Sequence, residues 1–195
     1  MGSRIMHYAI ASQILKARDY DKNDFALGNI LPDALNGEAK HTSHFRKKAN
    51  GEYILWGVDF EKFKQKYIND FNDALVLGYY CHLLSDYIWF NNTFSETKEM
   101  DPQSKESALF ADKVYSDMHI LNKLLVDYYK LSVPDYLKKP DNIIIHEISG
   151  GDVNALINDL INDFNDAASG TPEILTMDVA TGFIGRAVDF CLSEI

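Results

Sequence analysis

Cysteine is scarce in this chain: Cys81 and Cys191 are the only two in 195 residues. Neither a disulfide framework nor a cysteine-rich zinc module is therefore available. No apolar run reaches the roughly 18 residues that a membrane-crossing helix needs, so no transmembrane segment is expected. Positive charge is also in deficit, with 19 Lys and Arg against 29 Asp and Glu and a formal net charge of −10. Proteins that coat nucleic acid or dock on anionic membranes work through clustered cations, and no nucleic-acid groove is expected here. A phosphate-bearing substrate stays compatible with this balance only if something else supplies positive charge at the site. Near the start, Arg4 is the single basic residue, and His7, Ser12 and Gln13 interrupt the apolar stretch. That is a poor secretory signal, and a cytoplasmic location is expected.

What the chain does have is apolar residues in helical register. At 46% hydrophobic and 25% charged, it matches a globular protein able to bury a core, and its length suits one domain spanning residues 1–195. Spacing predicts helices over 4–16, 59–69, 73–90, 103–131, 153–168 and 177–193. Residues 19–24 read as a polar turn, 28–33 as a buried loop or short helical turn before Pro32, and 36–51 as an irregular connection punctuated by Gly37, Asn50 and Gly51. Only 53–56 and 142–146 could form short strands. The stretch 73–90 is apolar on most sides and belongs at the centre of a bundle. The expected fold is an all-α multi-helix bundle. The heptapeptide Ile-Asn-Asp-Phe-Asn-Asp-Ala occurs twice, at 68–74 and 161–167, too few copies for a repeat architecture. The Asn/Asp series at 158–166 lacks the glycine and terminal glutamate of a calcium loop and reads as a solvated helix face.

On the central stretch, His82 and Asp86 stand four residues apart and share one helix face. A carboxylate pointing into a bundle needs a cation, a hydrogen-bond network or water. A divalent metal satisfies both side chains, since imidazole nitrogen and carboxylate oxygen are ordinary zinc ligands. A plain His–Asp hydrogen bond is the alternative. His7 beside the apolar stripe of the first helix, Asp33 after Pro32, and His44 beside Phe45 enlarge the nitrogen and oxygen inventory to that of a metal site inside a bundle. His41 competes with His44 from the same segment.

These residues occur in a telling order. His7 is followed by Phe25-Ala26-Leu27-Gly28-Asn29-Ile30-Leu31-Pro32-Asp33, then by Lys40 and Ser43-His44-Phe45, then by Leu77-Gly78-Tyr79-Tyr80-Cys81-His82-Leu83-Leu84-Ser85-Asp86-Tyr87. Over residues 4–89 the chain resembles the zinc-dependent phospholipase C family, whose fold is shared with fungal single-strand-specific nucleases. The resemblance implies metal held by Asp33, His44, His82 and Asp86, with His7 near a neighbouring ion, and it favours His44 over His41. Secreted phospholipases of this kind also use a mature N-terminal Trp and a later His…His-x-x-x-Glu set. Here no Trp stands near the start, His119 is followed four residues on by Lys123, and His146 directly by Glu147. One or two zinc or other divalent ions are therefore expected rather than three. Asp117 and His119 are candidates for further ligands or for groups that support the ligands.

The implied chemistry is hydrolysis of a phosphoester, most simply a phosphodiester, by a metal-activated water that Asp33 bridges, orients or deprotonates. A small phosphoester or a phospholipid head group is the expected substrate. Tyr79, Tyr80, Tyr87 and Trp89 could wall its pocket, with packing in the bundle core as the alternative for aromatics at helical spacing. The competing function is a non-catalytic helical metal-binding or ligand-sensing module on the same scaffold.

Overall fold

The most apolar stretch of the chain forms its centre. In the computed structural model, which describes residues 1–101, 104–166 and 168–195, helix α5 (Ala74–Ile88) buries every residue from Leu75 to Asp86. It starts at Asp73, whose carboxylate accepts hydrogen bonds from the Leu75 and Val76 amides, satisfying donors that a helix start leaves free. Around α5 pack α2 (Lys22–Gly28), α4 (Phe60–Lys66) and α8 (Met177–Glu194). Helix α1 (Arg4–Ala17) packs on α8, α7 (Val153–Phe164) and the long α6 (Lys105–Tyr129). Phe183, Ile184, Ala187 and Cys191 of α8 are fully buried in this core. No helix among the described residues is long and apolar enough to cross a membrane.

Two glycines let α2 and α5 touch backbone to backbone. A Cβ at Gly28 would lie 2.1 Å from the Leu75 carbonyl oxygen, and one at Gly78 would lie 2.2 Å from that of Phe25. Only residues without a side chain permit this approach. It carries the end of α2 and the following 3₁₀ turn (Leu31–Ala34) against the face of α5 that bears His82.

Several local expectations change. Residues 19–24 do not form a simple turn: the Asp21 carboxylate accepts from the Asp24 amide and starts α2. The connection 36–51 contains α3 (Ala39–Ser43) and strand β1 (Arg46–Ala49). β1 pairs antiparallel with β2 (Glu52–Val58), Lys48 opposite Tyr53, with an irregularity between Arg46 and Lys48. Asn50 and Gly51 join them with φ of 53° and 87°, the left-handed pair that a two-residue hairpin turn favours. Thus 53–56 is strand, whereas 142–146 is not. That segment finds no neighbouring strand among the described residues and instead anchors through the buried Ile145 ahead of a 3₁₀ turn (His146–Ile148). Helix α7 stops at Phe164, short of the expected 168, and of the remainder Ala167 lies outside the described residues, as does the expected start of α6 at Gln103.

Candidate metal centre

Three segments converge on α5. His7 comes from α1, Asp33 from the 3₁₀ turn, His44 from the end of α3, and His82 with Asp86 from α5 itself. Ligand atoms of His7, Asp33 and His82 lie within 4.8 Å of one another, as do those of His44, His82 and Asp86. His7, His44, His82 and Asp86 are wholly buried.

The hydrogen bonds around the three imidazoles fix their protons. His82 Nδ1 donates to the Asn29 carbonyl at 2.9 Å, and His44 Nδ1 donates to the Lys40 carbonyl at 2.9 Å. The Ser85 hydroxyl donates to the His82 carbonyl at 2.8 Å, so its oxygen accepts from His7 Nδ1 at 3.1 Å. Each ring therefore turns its Nε2 inward. His82 Nε2 and His44 Nε2 stand 3.2 Å apart. His7 Nε2 is 3.7 Å from Asp86 Oδ1, and His44 Nε2 is 3.4 Å from Asp33 Oδ1. His7 Nε2 and Asp86 Oδ1 are buried without a hydrogen bond, while Asp33 Oδ1 meets the Lys40 ammonium at 2.7 Å. Three imidazoles and two carboxylates thus crowd their nitrogen and oxygen atoms into one space, with the Lys40 ammonium and the Arg46 guanidinium at its edge. Such a set is unfavourable alone and fits a divalent cation.

The charge states suit that role. Burial pushes the His7 imidazole down to about 3, assisted by the neighbouring His82, and pushes His44 down to about 4. Burial would raise Asp86, but His82 and Arg46 outweigh it and bring it to about 2. Asp33 is likewise held well below the ordinary carboxylate value, because His44 and the Lys40 ammonium outweigh its burial. The carboxylates are ionised and His7 and His44 are neutral near neutral pH, as metal ligands must be.

Beside the centre lies a cavity of about 490 Å³, within the usual size of a small-molecule site. Asp33 reaches its wall together with Lys40 and Arg46, and Trp56, Trp89, Phe90, Phe94, Phe110 and Met118 make much of the rest apolar. Trp89 is thus where a substrate-facing aromatic was expected. Tyr79 and Tyr87 are not on that wall: Tyr79 stacks on Phe63 and donates to the Ser43 carbonyl, while Tyr87 packs on Phe60 and Phe190. Tyr80 packs against Phe71. The structure brings neither His41 nor Asp117 to the centre. His41 stacks on Tyr53, and Asp117 accepts from the amides of Glu173, Ile174 and Leu175 at 2.7–3.0 Å, pinning the segment that leads into α8. His119 lines the cavity and pairs with Asp166.

Sequence reasoning missed Arg46 and Ser85. Arg46 opens a run of three basic residues that reads as solvated, yet its side chain is 4% exposed and lies 3.4 Å from Asp86 Oδ2. Ser85 carried no signal beyond its position next to Asp86.

A bundle with a buried His/Asp group facing an apolar cavity defines an all-α protein equipped to hold a divalent ion. The chain belongs to the zinc-dependent phospholipase C family, whose model matches residues 6–169 and so takes in all five candidate ligands. No curated protein and no solved structure matches the chain.

Proposed function

We propose that this protein is a metal-dependent phosphoric ester hydrolase acting on a phosphodiester with an apolar substituent, such as a phospholipid. The carrying observation is the buried group of three histidines and two aspartates placed beside an aromatic-walled cavity. His7, Asp33, His44, His82 and Asp86 would hold one or two zinc ions. A bound divalent ion would supply Lewis acidity toward a phosphoryl oxygen and acidify a nearby water. Of these five residues, Asp33 is the one on the described cavity wall. Its strongly depressed pKa makes it a weak base, which suits holding and orienting a water better than removing its proton. The apolar wall would receive the hydrophobic substituent and keep bulk water from the scissile bond, and the whole chain would act as one catalytic domain.

The test is elemental analysis of protein purified without affinity metal, together with hydrolysis of bis(p-nitrophenyl) phosphate. Stoichiometric zinc and turnover, both lost in His82→Ala, are expected. Zinc-loaded wild type that cleaves no phosphodiester would overturn the hydrolase reading.

A second reading, a non-catalytic metal-binding module, draws support from the complete burial of His7, His44, His82 and Asp86. It predicts stoichiometric metal, loss of stability on chelation and no turnover.

A further inference from the structure

We propose that Lys40 and Arg46 form a cationic cradle for the phosphoryl group of the substrate, at the edge where the metal centre meets the cavity. The inference rests on the phosphoester reading above and specifies which of this chain's own residues grip the anion.

Position is the first argument. The imidazoles and Asp86 are closed off from solvent, and what the region presents to the cavity is Asp33, Lys40 and Arg46. A phosphoester entering the cavity therefore meets an ammonium and a guanidinium beside the centre. Lys40 Nζ lies 2.7 Å from Asp33 Oδ1, and an Arg46 terminal nitrogen lies 3.4 Å from Asp86 Oδ2. Each cation is thus held by a carboxylate of the centre. The Arg46 guanidinium also lies 4.9 Å from the centroid of the Phe90 ring, itself on the cavity wall.

Charge is the second argument. Arg4, Lys40 and Arg46 line the cavity against Asp33 and Asp163, a local basic excess in a protein of net charge −10. Arg4 binds Asp163 through two nitrogens at 2.8 and 3.1 Å. Lys40 and Arg46 are instead the basic pair that touches the carboxylates of the centre. A planar guanidinium with five donors matches phosphoryl oxygens, and an ammonium adds an adaptable point charge.

Backbone conformation is the third. Phe45 stands between His44 and Arg46 with φ of 48°, a left-handed conformation disfavoured for a bulky residue. It marks the turn from α3 into β1, with the residue before it in the centre and the residue after it on the cavity wall. Observed strain of this kind clusters at functional sites.

The experiment measures binding of inorganic phosphate to zinc-loaded protein by calorimetry, alongside zinc content and bis(p-nitrophenyl) phosphate kinetics, for wild type, Lys40→Met, Arg46→Met and Arg46→Lys. The expected result is phosphate affinity about tenfold weaker in each Met variant, with zinc content unchanged and partial recovery in Arg46→Lys, since a charged hydrogen bond is worth about that factor. KM should rise or kcat fall in parallel. Phosphate affinity within twofold of wild type in Lys40→Met and Arg46→Met would overturn the cradle, as would wild type that binds no phosphate. If Arg46→Met loses zinc while Lys40→Met keeps both zinc and phosphate affinity, these cations are merely structural counter-ions and the proposal fails. Zinc-loaded wild type that binds phosphate through these residues but hydrolyses nothing would sink the hydrolase reading and leave the cradle standing.

Discussion

A single hydroxyl decides which nitrogen of His7 carries the proton. Because the Ser85 hydrogen is committed to the His82 carbonyl, its oxygen must accept from Nδ1 and Nε2 is left bare. Ser85→Ala removes that constraint without touching a candidate ligand. Groups of this kind typically change metal affinity 10- to 100-fold. Zinc affinity measured by competition with a chromophoric chelator is therefore expected to fall by about tenfold or more. Unchanged affinity would show that His7 is oriented by something else. At this scale the sequence was readable where a spacing rule applied. His82 and Asp86 announce themselves as an i, i+4 pair on an apolar helix, and His7 as a polar residue beside an apolar stripe. Arg46 did not, because the run Arg46-Lys47-Lys48 looks solvated and only the tertiary fold buries its first member. Tyr79 and Tyr87 show the converse: aromatics at helical spacing packed as core, the commoner use of a large ring.

Helices α2 and α5 meet through glycine backbones, and that contact sets the position of the Asn29 carbonyl against His82. Gly78→Ala forces a Cβ to within 2.2 Å of the Phe25 carbonyl oxygen, so the helices must separate. Overpacking of this kind costs about 1–3 kcal/mol. The urea midpoint of Gly78→Ala should fall accordingly. Gly185 of α8 has open space where a Cβ would go, so Gly185→Ala should stabilise by up to about 1 kcal/mol through helix propensity alone. Equal effects at both sites would refute the close-contact account.

Element boundaries were legible where capping and periodicity agreed, as at Asp73 and Asp152, whose side chains accept from the first-turn amides of α5 and α7. They were obscured where local composition misled. The polar 19–24 hid the start of α2, and lysines hid β1, leaving Asn50-Gly51 as the one hairpin signal. The repeated heptapeptide makes the same point. Its first copy is a 3₁₀ turn (Ile68–Asp70) leading to a helix cap, whereas its second begins as the last turn of α7. Tertiary surroundings, not the seven residues, choose between them.

Across the whole molecule, the buried centre couples stability to pH. His7 and His44 lie at about 3 and about 4 in the fold, below the roughly 6.5 of an exposed imidazole. The unfolded chain therefore binds more protons than the folded one between about pH 6.5 and 4, and the free energy of unfolding rises with pH across that window. Acidification below about 6.5 is expected to lower the urea midpoint of metal-free protein steadily. Asp86, lowered to about 2, extends the loss below about pH 4, where its unfolded carboxylate takes up a proton. Denaturation curves at successive pH values after chelation provide the check, and a flat midpoint would contradict the burial of neutral imidazoles.

Helix α8 gives the fold a further consequence. The family match ends at residue 169, yet Phe183, Ile184, Ala187 and Cys191 beyond it are fully buried, and α8 packs directly on α1 and α5. A fragment trimmed to the matched residues would strip the roof from the two helices that carry His7, His82 and Asp86, wetting their backs and inviting aggregation. Any shortened version meant for the bench has to run through to Glu194.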